Sequence, residues 1–334
     1  MKTMVYKEGY VSKLSLLETE VAIKFVKDIF EAELAKALNL TRVSAPLMVF
    51  PETGLNDNLN GYERPVSFDV LDLGKNVEIV QSLAKWKRAA LKKYGFQPES
   101  GLYTDMNAIR RDEELDALHS CYVDQWDWER IILRENRTYS YLKKIVKKIY
   151  KVLQTTEKKI NKKYNVFNNK LPKDITFVST KQLEEMYPDL TPKERENAIT
   201  KEYKAVFLYQ IGWPLKNNEP HDGRASDYDD WKLNGDILVY NEVMDMALEL
   251  SSMGIRVDEK SLMKQVKFKK EDKLNNPYSQ AILNGELPLT IGGGIGQSRL
   301  CLFFLEKMHI GEVQASIWSE EDIKELEKYN IHLL

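Results

Sequence analysis

The stretch Leu289–Trp318 places the strongest constraint on how this chain can fold. It opens with an apolar run, has four glycines between positions 292 and 296, and continues into a segment with helically spaced apolar residues. Glycine has no Cβ atom, so a ligand can approach such a backbone closely. Arg299 lies one turn inside the following helix, whose N-terminus favours an anion. The stretch is therefore either an anion site or a glycine-rich turn between a strand and a buried helix, with Arg299 in a surface salt bridge.

Two familiar glycine motifs of nucleotide-binding proteins are not expected here. A P-loop needs Gly-Lys-Ser/Thr after its glycines, whereas this chain has Gly296-Gln297-Ser298. A dinucleotide-binding fingerprint needs a third glycine where Arg299 stands and a βαβ unit after it. Only about 35 residues follow Arg299, which is too few for that unit.

Composition narrows the class of protein. The net charge of −2 over 334 residues argues against a dedicated nucleic-acid binder, which normally has a basic excess. No apolar run approaches the roughly 20 residues of a membrane span, and the N-terminus has no apolar signal-peptide core. Two cysteines fit a reducing cytoplasm, and four scattered histidines make no zinc-like cluster. We therefore expect a cytoplasmic protein in which any metal is a hard ion bound by carboxylates.

The run Cys121–Arg130 is the second informative stretch, because its residues alternate as in a strand. One face would carry Gln125, Asp127 and Glu129, and the other Asp124, Trp126 and Trp128. The tryptophans suit a packed face, and a strand this aromatic favours a central position. The polar face is then expected to line a cavity, the alternative being solvent.

Gly235–Asp258 is the third informative stretch. Strand-like runs at 236–240 and 247–257 place Asp236 and Glu249 on elements that could pair. Because Glu249 lies between two leucines, its carboxylate would be costly unless it were paired or bound a cation. Two such oxygen ligands suit Mg²⁺ on the phosphates of a nucleotide. The alternative is a buried Glu249–Arg256 ion pair.

Further segments are expected at the edges of the fold and around the site. Thr41–Phe50 is rich in β-forming residues but contains Pro46, which predicts a strand at a sheet edge or an interface. Ser82 is expected to cap a helix that Gly95 closes. The basic residues of that helix, Lys85, Lys87 and Arg88, are expected mostly on its solvated face.

Two loops and a long helix carry many charges. Asp57, in the loop Pro51–Gly61, is either a turn-forming residue or an acid presented to a site. Glu219–Leu233 is expected to be an acidic loop. Thr138–Tyr164 is expected to be a lysine-rich helix with a solvated basic face rather than a nucleic-acid surface.

Taken together, these stretches resemble the catalytic core of class II aminoacyl-tRNA synthetases, closest to the aspartate and asparagine enzymes. Thr41-Arg-Val-Ser-Ala-Pro46-Leu resembles motif 1, Arg110-Arg-Asp-Glu-Glu through Glu129 resembles motif 2, and Gly292-Gly-Gly-Ile-Gly-Gln-Ser-Arg299 resembles motif 3. No anticodon-binding domain is recognisable. The chain is more similar still to the ammonia-dependent aspartate–ammonia ligases, through Gln81-Ser-Leu-Ala-Lys-Trp-Lys87-Arg, Tyr122–Glu129 and Leu250–Arg256.

The resemblance implies an α/β (α+β) fold with an antiparallel sheet flanked by helices. It implies one catalytic domain over residues 1–334, with a helical excursion at about 138–204, and a homodimer formed through the Pro46 strand. ATP would be the co-substrate and Mg²⁺ the cofactor, with L-aspartate and ammonia as the other substrates.

The resemblance also implies roles for individual residues. For ATP, Arg110 would bind the α-phosphate, Arg299 would grip the nucleotide, Asp236 and Glu249 would bind Mg²⁺ and phosphates, and Val123 and Leu250 would border adenine. For aspartate, the binding residues would be Ser82, Lys87, Gln125 and Asp127, with Ser252 and Gly293 or Gly294 nearby, and Asp57, Arg224 and Asp229 would complete the pocket. Lys87, Arg110 and Arg299 would neutralise charge during catalysis, and Asp57 would take a proton from ammonium.

The implied reaction is attack of the β-carboxylate of aspartate on the α-phosphorus of ATP. This gives a β-aspartyl-adenylate and pyrophosphate, after which ammonia displaces AMP to give asparagine. The alternatives are a synthetase paralogue that transfers the activated amino acid to tRNA or another acceptor, and a catalytically inactive synthetase-like subunit. Glutamine is not expected as nitrogen donor, because the sequence contains no recognisable glutaminase domain.

Overall fold

The computed structural model describes residues 6–57, 59 and 63–334. The strands of this part of the chain, in order, are β1 (Leu40–Arg42), β2 (Met48–Val49), β3 (Ser67–Val70), β4 (Lys75–Ile79), β5 (Gly101–Ile109), β6 (Tyr122–Ile131), β7 (Thr176–Ser179), β8 (Ala205–Tyr209), β9 (Asp229–Asn241), β10 (Met246–Arg256) and β11 (Thr290–Gly296). The α-helices are α1 (Leu16–Leu38), α2 (Ala84–Lys93), α3 (Tyr139–Tyr164), α4 (Thr180–Met186), α5 (Pro192–Tyr203), α6 (Glu259–Lys269), α7 (Pro277–Leu283), α8 (Gln297–Phe304) and α9 (Glu320–Lys328).

Eight strands form one sheet in the order β1-β5-β6-β11-β10-β9-β8-β7, and β2, β4 and β3 form a separate small sheet. The six inner strands of the large sheet, β5-β6-β11-β10-β9-β8, pair with one another in antiparallel fashion. The outermost strands, β1 and β7, pair in parallel with their neighbours. The predicted α/β fold with an antiparallel sheet is therefore confirmed, with parallel pairing at both edges. β7 comes from the predicted helical excursion, which thus contributes a strand to the main sheet.

The tryptophan face of β6 packs in the main core, as the alternating pattern predicts. Trp126 and Trp128 are fully buried, and the ring of Phe30 on α1 lies 4.9 Å from that of Trp126. Helix α1 begins at a capping box in which Ser15 and Glu18 exchange hydrogen bonds with each other's backbone. Helices cover this face, and the polar residues of β6 lie on the opposite face.

The segment Thr41–Phe50 differs from a single strand. It contributes β1 to the edge of the large sheet and β2 to the small sheet, with Pro46 between them. Proline cannot donate a ladder hydrogen bond, and Pro46 lies in the gap between the two strands. The predicted edge position is confirmed for β1.

Two expectations about α2 are wrong. Leu83, not Ser82, is the N-cap residue, although Ser82 Oγ accepts a hydrogen bond from the backbone N–H of Ala84 (3.1 Å). The basic side chains at 85, 87 and 88 are buried rather than solvated. Arg88, for example, donates to the carbonyls of Val257 and Pro288, both at 2.8 Å. Helix α2 packs against β6 and β11 while distant loops cover its charged side, which helical periodicity cannot reveal.

The glycines at 292–296 lie within the central strand β11, so the interpretation as a glycine-rich turn is wrong. A Cβ atom on Gly292 would collide with the carboxylate of Glu129, and one on Gly294 would collide with the amide of Gln125. Glycine is required because these side chains of β6 reach across β11. Helix α8 then begins at once, with Gly296 as its N-cap residue.

The structure shortens the predicted acidic loop and confirms the predicted basic face of α3. The acidic loop predicted at Glu219–Leu233 ends earlier, because β9 begins at Asp229. The lysines of α3 lie largely on its exposed side while Ile145, Ile149 and Leu153 are buried, which confirms the solvated basic face. In the described part of the chain, none of the helices combines the length and the apolar character that crossing a membrane requires.

Candidate active site

A polar cavity of about 380 Å³ lies on the sheet face opposite the tryptophans of β6. Its floor follows from strand register: Asp127 lies opposite Gly294, Gly294 opposite Ser252, and Ser252 opposite Asp236. Residues directly opposite one another in antiparallel strands share a face, so one row across four strands is committed to this side. The predicted polar cavity beside β6 is confirmed.

A buried ion pair lies at the floor of the cavity. The Lys87 ammonium group contacts the carboxylate of Asp127 and donates a hydrogen bond to the carbonyl of Gly293 (2.9 Å). Both side chains are almost fully buried. Burial lowers the pKa of Lys87, and the nearby Asp127 opposes that change. The pair therefore presents one positive and one negative group within a single hydrogen-bonded unit.

Arg256 sits beside this pair and is held by two carboxylates. It donates to both carboxylate oxygens of Glu129 at 2.8–3.1 Å, and its Nη1 lies 2.5 Å from Asp229. Burial raises the pKa of Asp229, and Arg256 opposes that change. The alternative of a buried Glu249–Arg256 pair is wrong, because Arg256 is occupied by these other carboxylates.

Two arginines reach the cavity from its outer side and retain partial exposure. Arg110 follows β5, its Nη1 lies 3.8 Å from Glu113, and its Nε is buried without a hydrogen-bond partner. Arg299, near the start of α8, donates to the carbonyl of Glu249 (3.3 Å) and lies 3.9 Å from its carboxylate. Such loosely paired guanidinium groups can bind an added anion without first breaking a buried ion pair.

Arg224 forms a second charged group with Asp222 and Asp236, whose carboxylates it contacts directly. Asp236 does not line the cavity and lies behind Arg224. Burial is the main cause that raises the pKa of Asp236 to about 7; Arg224 lowers it, and Glu249 raises it further.

The neighbourhood of Asp236 fits a hard cation. Its Oδ1 is buried without a hydrogen-bond partner, and the charge of Glu249 acts on it. Carboxylate oxygens are the ligands that Mg²⁺ prefers. Outside the gaps at 1–5, 58 and 60–62, no group of three or more His, Cys, Asp and Glu residues could hold a metal ion. A cation here would therefore take its remaining ligands from water or a bound phosphate.

Asp57 lines the cavity from the loop after β2 and is almost fully buried. Its Oδ1 accepts the backbone N–H of Leu59 (3.1 Å), while its Oδ2 has no hydrogen-bond partner. Burial raises the pKa of Asp57 to about 6, with Lys85 opposing the change and Asp227 adding to it. Both interpretations of this residue fit the structure, because the bond from the Leu59 N–H is a local turn contact and the residue also lines the cavity.

The structure brings the predicted site residues together, apart from Asp236. The cavity wall includes Asp57, Ser82, Lys87, Arg110, Val123, Gln125, Asp127, Arg224, Asp229, Glu249, Leu250, Ser252, Gly293, Gly294 and Arg299. Their individual roles stay predictions.

The sequence did not reveal how α8 is tied to β6. Asp124 accepts hydrogen bonds from the backbone N–H (3.1 Å) and Oγ (2.6 Å) of Ser298 and from Gln314 (3.2 Å). Strand alternation places Asp124 on the tryptophan face, where a carboxylate is unexpected. This unusual position could have indicated that Asp124 has a buried hydrogen-bonding partner. The buried pair Lys85–Asp227 was also missed, because nothing in the local pattern links positions 142 residues apart.

An antiparallel sheet with Arg110 and Arg299 in the wall of its cavity is typical of the class II synthetase-like fold. Solved structures share the fold. Asparaginyl-tRNA synthetase from Entamoeba histolytica, in complex with asparaginyl-adenylate, superposes with a TM-score of 0.66 at 11% identity over 90% of this chain. The Pyrococcus horikoshii enzyme, also with asparaginyl-adenylate, gives 0.66 at 16% identity over 90%. The chain spans 66% and 70% of those two chains.

Sequence comparison identifies the family. The family model described as aspartate-ammonia ligase matches residues 17–330. Aspartate--ammonia ligase from Ruminiclostridium cellulolyticum is 62% identical over 336 residues and 100% of both chains. The enzyme of the same name from Fusobacterium nucleatum is 60% identical over 327 residues, which cover 98% of this chain and 100% of the relative. The chain belongs to the aspartate–ammonia ligase family, which confirms the resemblance and the predicted enzyme class.

Proposed function

We propose that the cavity makes L-asparagine from L-aspartate, ammonia and ATP through a β-aspartyl-adenylate, releasing AMP and pyrophosphate. The observation that carries this proposal is that two loosely paired arginines, Arg110 and Arg299, line the same cavity as the buried Lys87–Asp127 pair. The cavity thus combines a site for an anionic phosphate chain with a site for a small zwitterion.

The Lys87–Asp127 pair suits the charges of aspartate. Asp127 can pair with the α-ammonium group, and Lys87 can pair with a carboxylate. Gln125 and Ser82 line the same region and supply uncharged hydrogen-bonding groups. Because both charged residues are buried, little water would compete for the substrate.

The first chemical step brings together two anions, the β-carboxylate and the α-phosphate. Positive charge from Lys87, Arg110 and Arg299 would lower the repulsion and stabilise charge that develops on the phosphate oxygens. Activation is needed because a free carboxylate repels a nucleophile and has no adequate leaving group. Val123 and Leu250, which line the cavity, are the residues proposed to border adenine.

Asp236 and Glu249 are the residues proposed to hold Mg²⁺. When bound there with phosphates, the ion would supply positive charge that offsets the charge of the phosphate chain. Within the chain itself, Arg224 contacts Oδ2 of Asp236 and leaves its Oδ1 without a hydrogen-bond partner, and Arg299 adjoins Glu249, so these two arginines would orient the carboxylates.

Asp57 is the residue proposed to deprotonate ammonium. Ammonium predominates near neutral pH and has no lone pair with which to attack. A carboxylate with a raised pKa near 6 is a stronger base than an ordinary aspartate and is still mostly ionised at neutral pH.

A homodimer through the Pro46 segment, a single catalytic domain over 1–334 and a cytoplasmic location remain part of this proposal. Exposed apolar side chains next to Pro46 support the dimer: Leu47 and Met48, with Phe68 and Leu71 on the adjoining small sheet. Both cysteines are free, which suits a reducing compartment.

The test is product analysis after incubation with ATP, Mg²⁺, aspartate and ammonium in the absence of tRNA. We expect AMP and pyrophosphate in step with asparagine. Stoichiometric ADP would refute the adenylate mechanism, and aspartate-dependent pyrophosphate exchange without asparagine would favour a synthetase paralogue with another acceptor.

A further inference from the structure

A chain of alternating charges runs from the cavity to the protein surface behind Asp57. Asp227 is fully buried and does not line the cavity. The Nζ of Lys85 lies 2.6 Å from Asp227 Oδ2, and the Nζ of Lys273 lies 3.8 Å from Asp227 Oδ1. Lys273 is partly exposed and lies 3.4 Å from Glu271, which is also partly exposed. The order from inside to outside is thus Asp57, Lys85, Asp227, Lys273 and Glu271.

Asp57 belongs electrostatically to this chain. The charges of Lys85, Asp227 and Lys273 all act on it, and the charge of Asp57 in turn acts on Lys85. The centroid of the Tyr278 ring lies 6.0 Å from the Lys85 ammonium group, and the Lys85 side chain is buried. Neither oxygen of Asp227 has a hydrogen bond of good geometry, although Lys85 lies beside one of them. A fully buried carboxylate with unused acceptor capacity is costly for the fold, so a functional use is indicated.

The amide-forming half-reaction creates a need for such a chain. Ammonium first gives one proton to Asp57. The lone pair of the resulting ammonia then forms the C–N bond to the acyl carbon, while the π pair of the C=O bond moves onto its oxygen. The adduct carries a positive nitrogen, which loses a second proton to Asp57 once that carboxylate has been emptied. The oxyanion then re-forms the C=O bond as the C–O bond to the phosphate breaks and its electron pair leaves with AMP. Asp57 can hold a single proton, so it must be emptied within each turnover.

We infer that Lys85, Asp227 and Lys273 form the route by which the proton taken up by Asp57 leaves for solvent. Lys85 makes no ion pair with Asp57, whose Oδ2 has no hydrogen-bond partner, so a water molecule would carry the proton from Asp57 to Lys85. Lys85 passes one of its own protons to Asp227 as it receives this one, and it therefore remains an ammonium group throughout. Lys273 and Glu271 link Asp227 to water. The inference rests on the proposed function, because it concerns the second half-reaction alone, and Asp227 acts through Asp57 without touching substrate.

The test compares Asp227→Asn with wild type in two half-reactions. We expect aspartate-dependent exchange of pyrophosphate into ATP to stay within about twofold, while asparagine formation from ammonium slows by about tenfold or more. Hydroxylamine binds uncharged and releases one proton fewer than ammonium, so with hydroxylamine the difference in amide-forming rate between wild type and Asp227→Asn should be smaller. Added imidazole at fixed pH and ionic strength should speed amide formation in the variant and leave wild type unchanged, since a small base can replace the lost route.

The matched control is Asp230→Asn, which removes another buried carboxylate three positions further on. Asp230 pairs with Arg137 (2.9 Å) and does not line the cavity, so both half-reactions should keep their wild-type ratio. If Asp227→Asn does not fold, Lys273→Met at the exposed end of the route replaces it. Added imidazole should then speed amide formation in Lys273→Met and leave wild type unchanged. Equal losses in both half-reactions, or no loss in either, would overturn the relay. Wild type that exchanges pyrophosphate without making asparagine would instead refute the proposed function.

Discussion

The Lys87 ammonium group contacts the carboxylate of Asp127 and also donates to the carbonyl of Gly293. The three residues come from α2, β6 and β11, so this ion pair joins a helix to two central strands. The pair is therefore a structural link as well as the proposed binding site for aspartate.

Asp127→Asn should destabilise the fold and abolish aspartate-dependent pyrophosphate exchange. The substitution leaves Lys87 buried without a counter-charge, which costs about 3–5 kcal/mol. The free energy of unfolding, measured with urea, and the exchange rate are the two readouts. The double variant Lys87→Met/Asp127→Leu should recover much of the stability, because an apolar pair needs no desolvation of charge, and should remain inactive. A double variant that regains exchange would show that the pair is structural alone.

Arg110→Ala should slow adenylate formation by about a hundredfold, equivalent to about 3 kcal/mol of lost transition-state stabilisation. The fold should stay intact, because Arg110 is partly exposed and its nearest carboxylate is 3.8 Å away. Pyrophosphate exchange measures the effect. The neighbouring exposed residue supplies the control: Arg111→Ala should leave the rate near that of wild type. Arg110→Ala with near wild-type turnover would assign Arg110 a structural role.

The central glycines should respond differently to alanine. At Gly292 a new methyl group would strike the Glu129 carboxylate, which Arg256 holds in place, so Gly292→Ala should cost about 1–3 kcal/mol of stability. At Gly294 it would strike the end of Gln125, which can rotate away, so Gly294→Ala should retain more stability and instead raise the KM for aspartate. Equal thermal stability of the two variants would contradict this difference.

Features of the fold and site that depend on residues close together in the sequence were predictable, whereas features that depend on distant residues were not. Alternation of Trp126 and Trp128 with polar residues was sufficient to predict a central strand with one polar face. The burial of Lys85 and Lys87 was not predicted, because their partners Asp227 and Asp127 lie far along the chain and a helical pattern assigns lysine to solvent. A run of glycines usually indicates a turn, so the local sequence did not predict the strand β11. Glycine is required there because side chains of the neighbouring strand β6 occupy the space that a Cβ atom would need.

Asp57→Asn should separate the two half-reactions. The amide keeps the shape and hydrogen-bonding capacity of the side chain but removes the basic oxygen, so asparagine formation should slow by about a hundredfold or more. Pyrophosphate exchange should be spared, because the adenylate forms before Asp57 acts. Hydroxylamine should partly rescue the variant, as its free base predominates near neutral pH. If exchange falls together with amide formation, Asp57 positions substrate or the loop instead.

The same substitution should change how stability depends on pH. Burial raises the pKa of Asp57 from its ordinary 3.8 to about 6, so between these values the folded state binds more of the proton than the unfolded state. The contribution of Asp57 to stability is therefore present in full below about pH 4, declines as pH rises, and is lost above about pH 6.

Between pH 5 and pH 8, this group should lower the free energy of unfolding of wild type by about 1–1.5 kcal/mol. Asparagine does not titrate, so the stability of Asp57→Asn relative to wild type should rise by that amount over the same interval. Urea unfolding of both proteins at the two pH values checks the difference. Asp230→Asn serves again as the control, because the Asp230 carboxylate is paired with Arg137. A relative stability of Asp57→Asn that stays constant from pH 5 to pH 8 would mean that Asp57 titrates near its ordinary pKa, and it would then be a weaker base than the proposed deprotonation of ammonium requires.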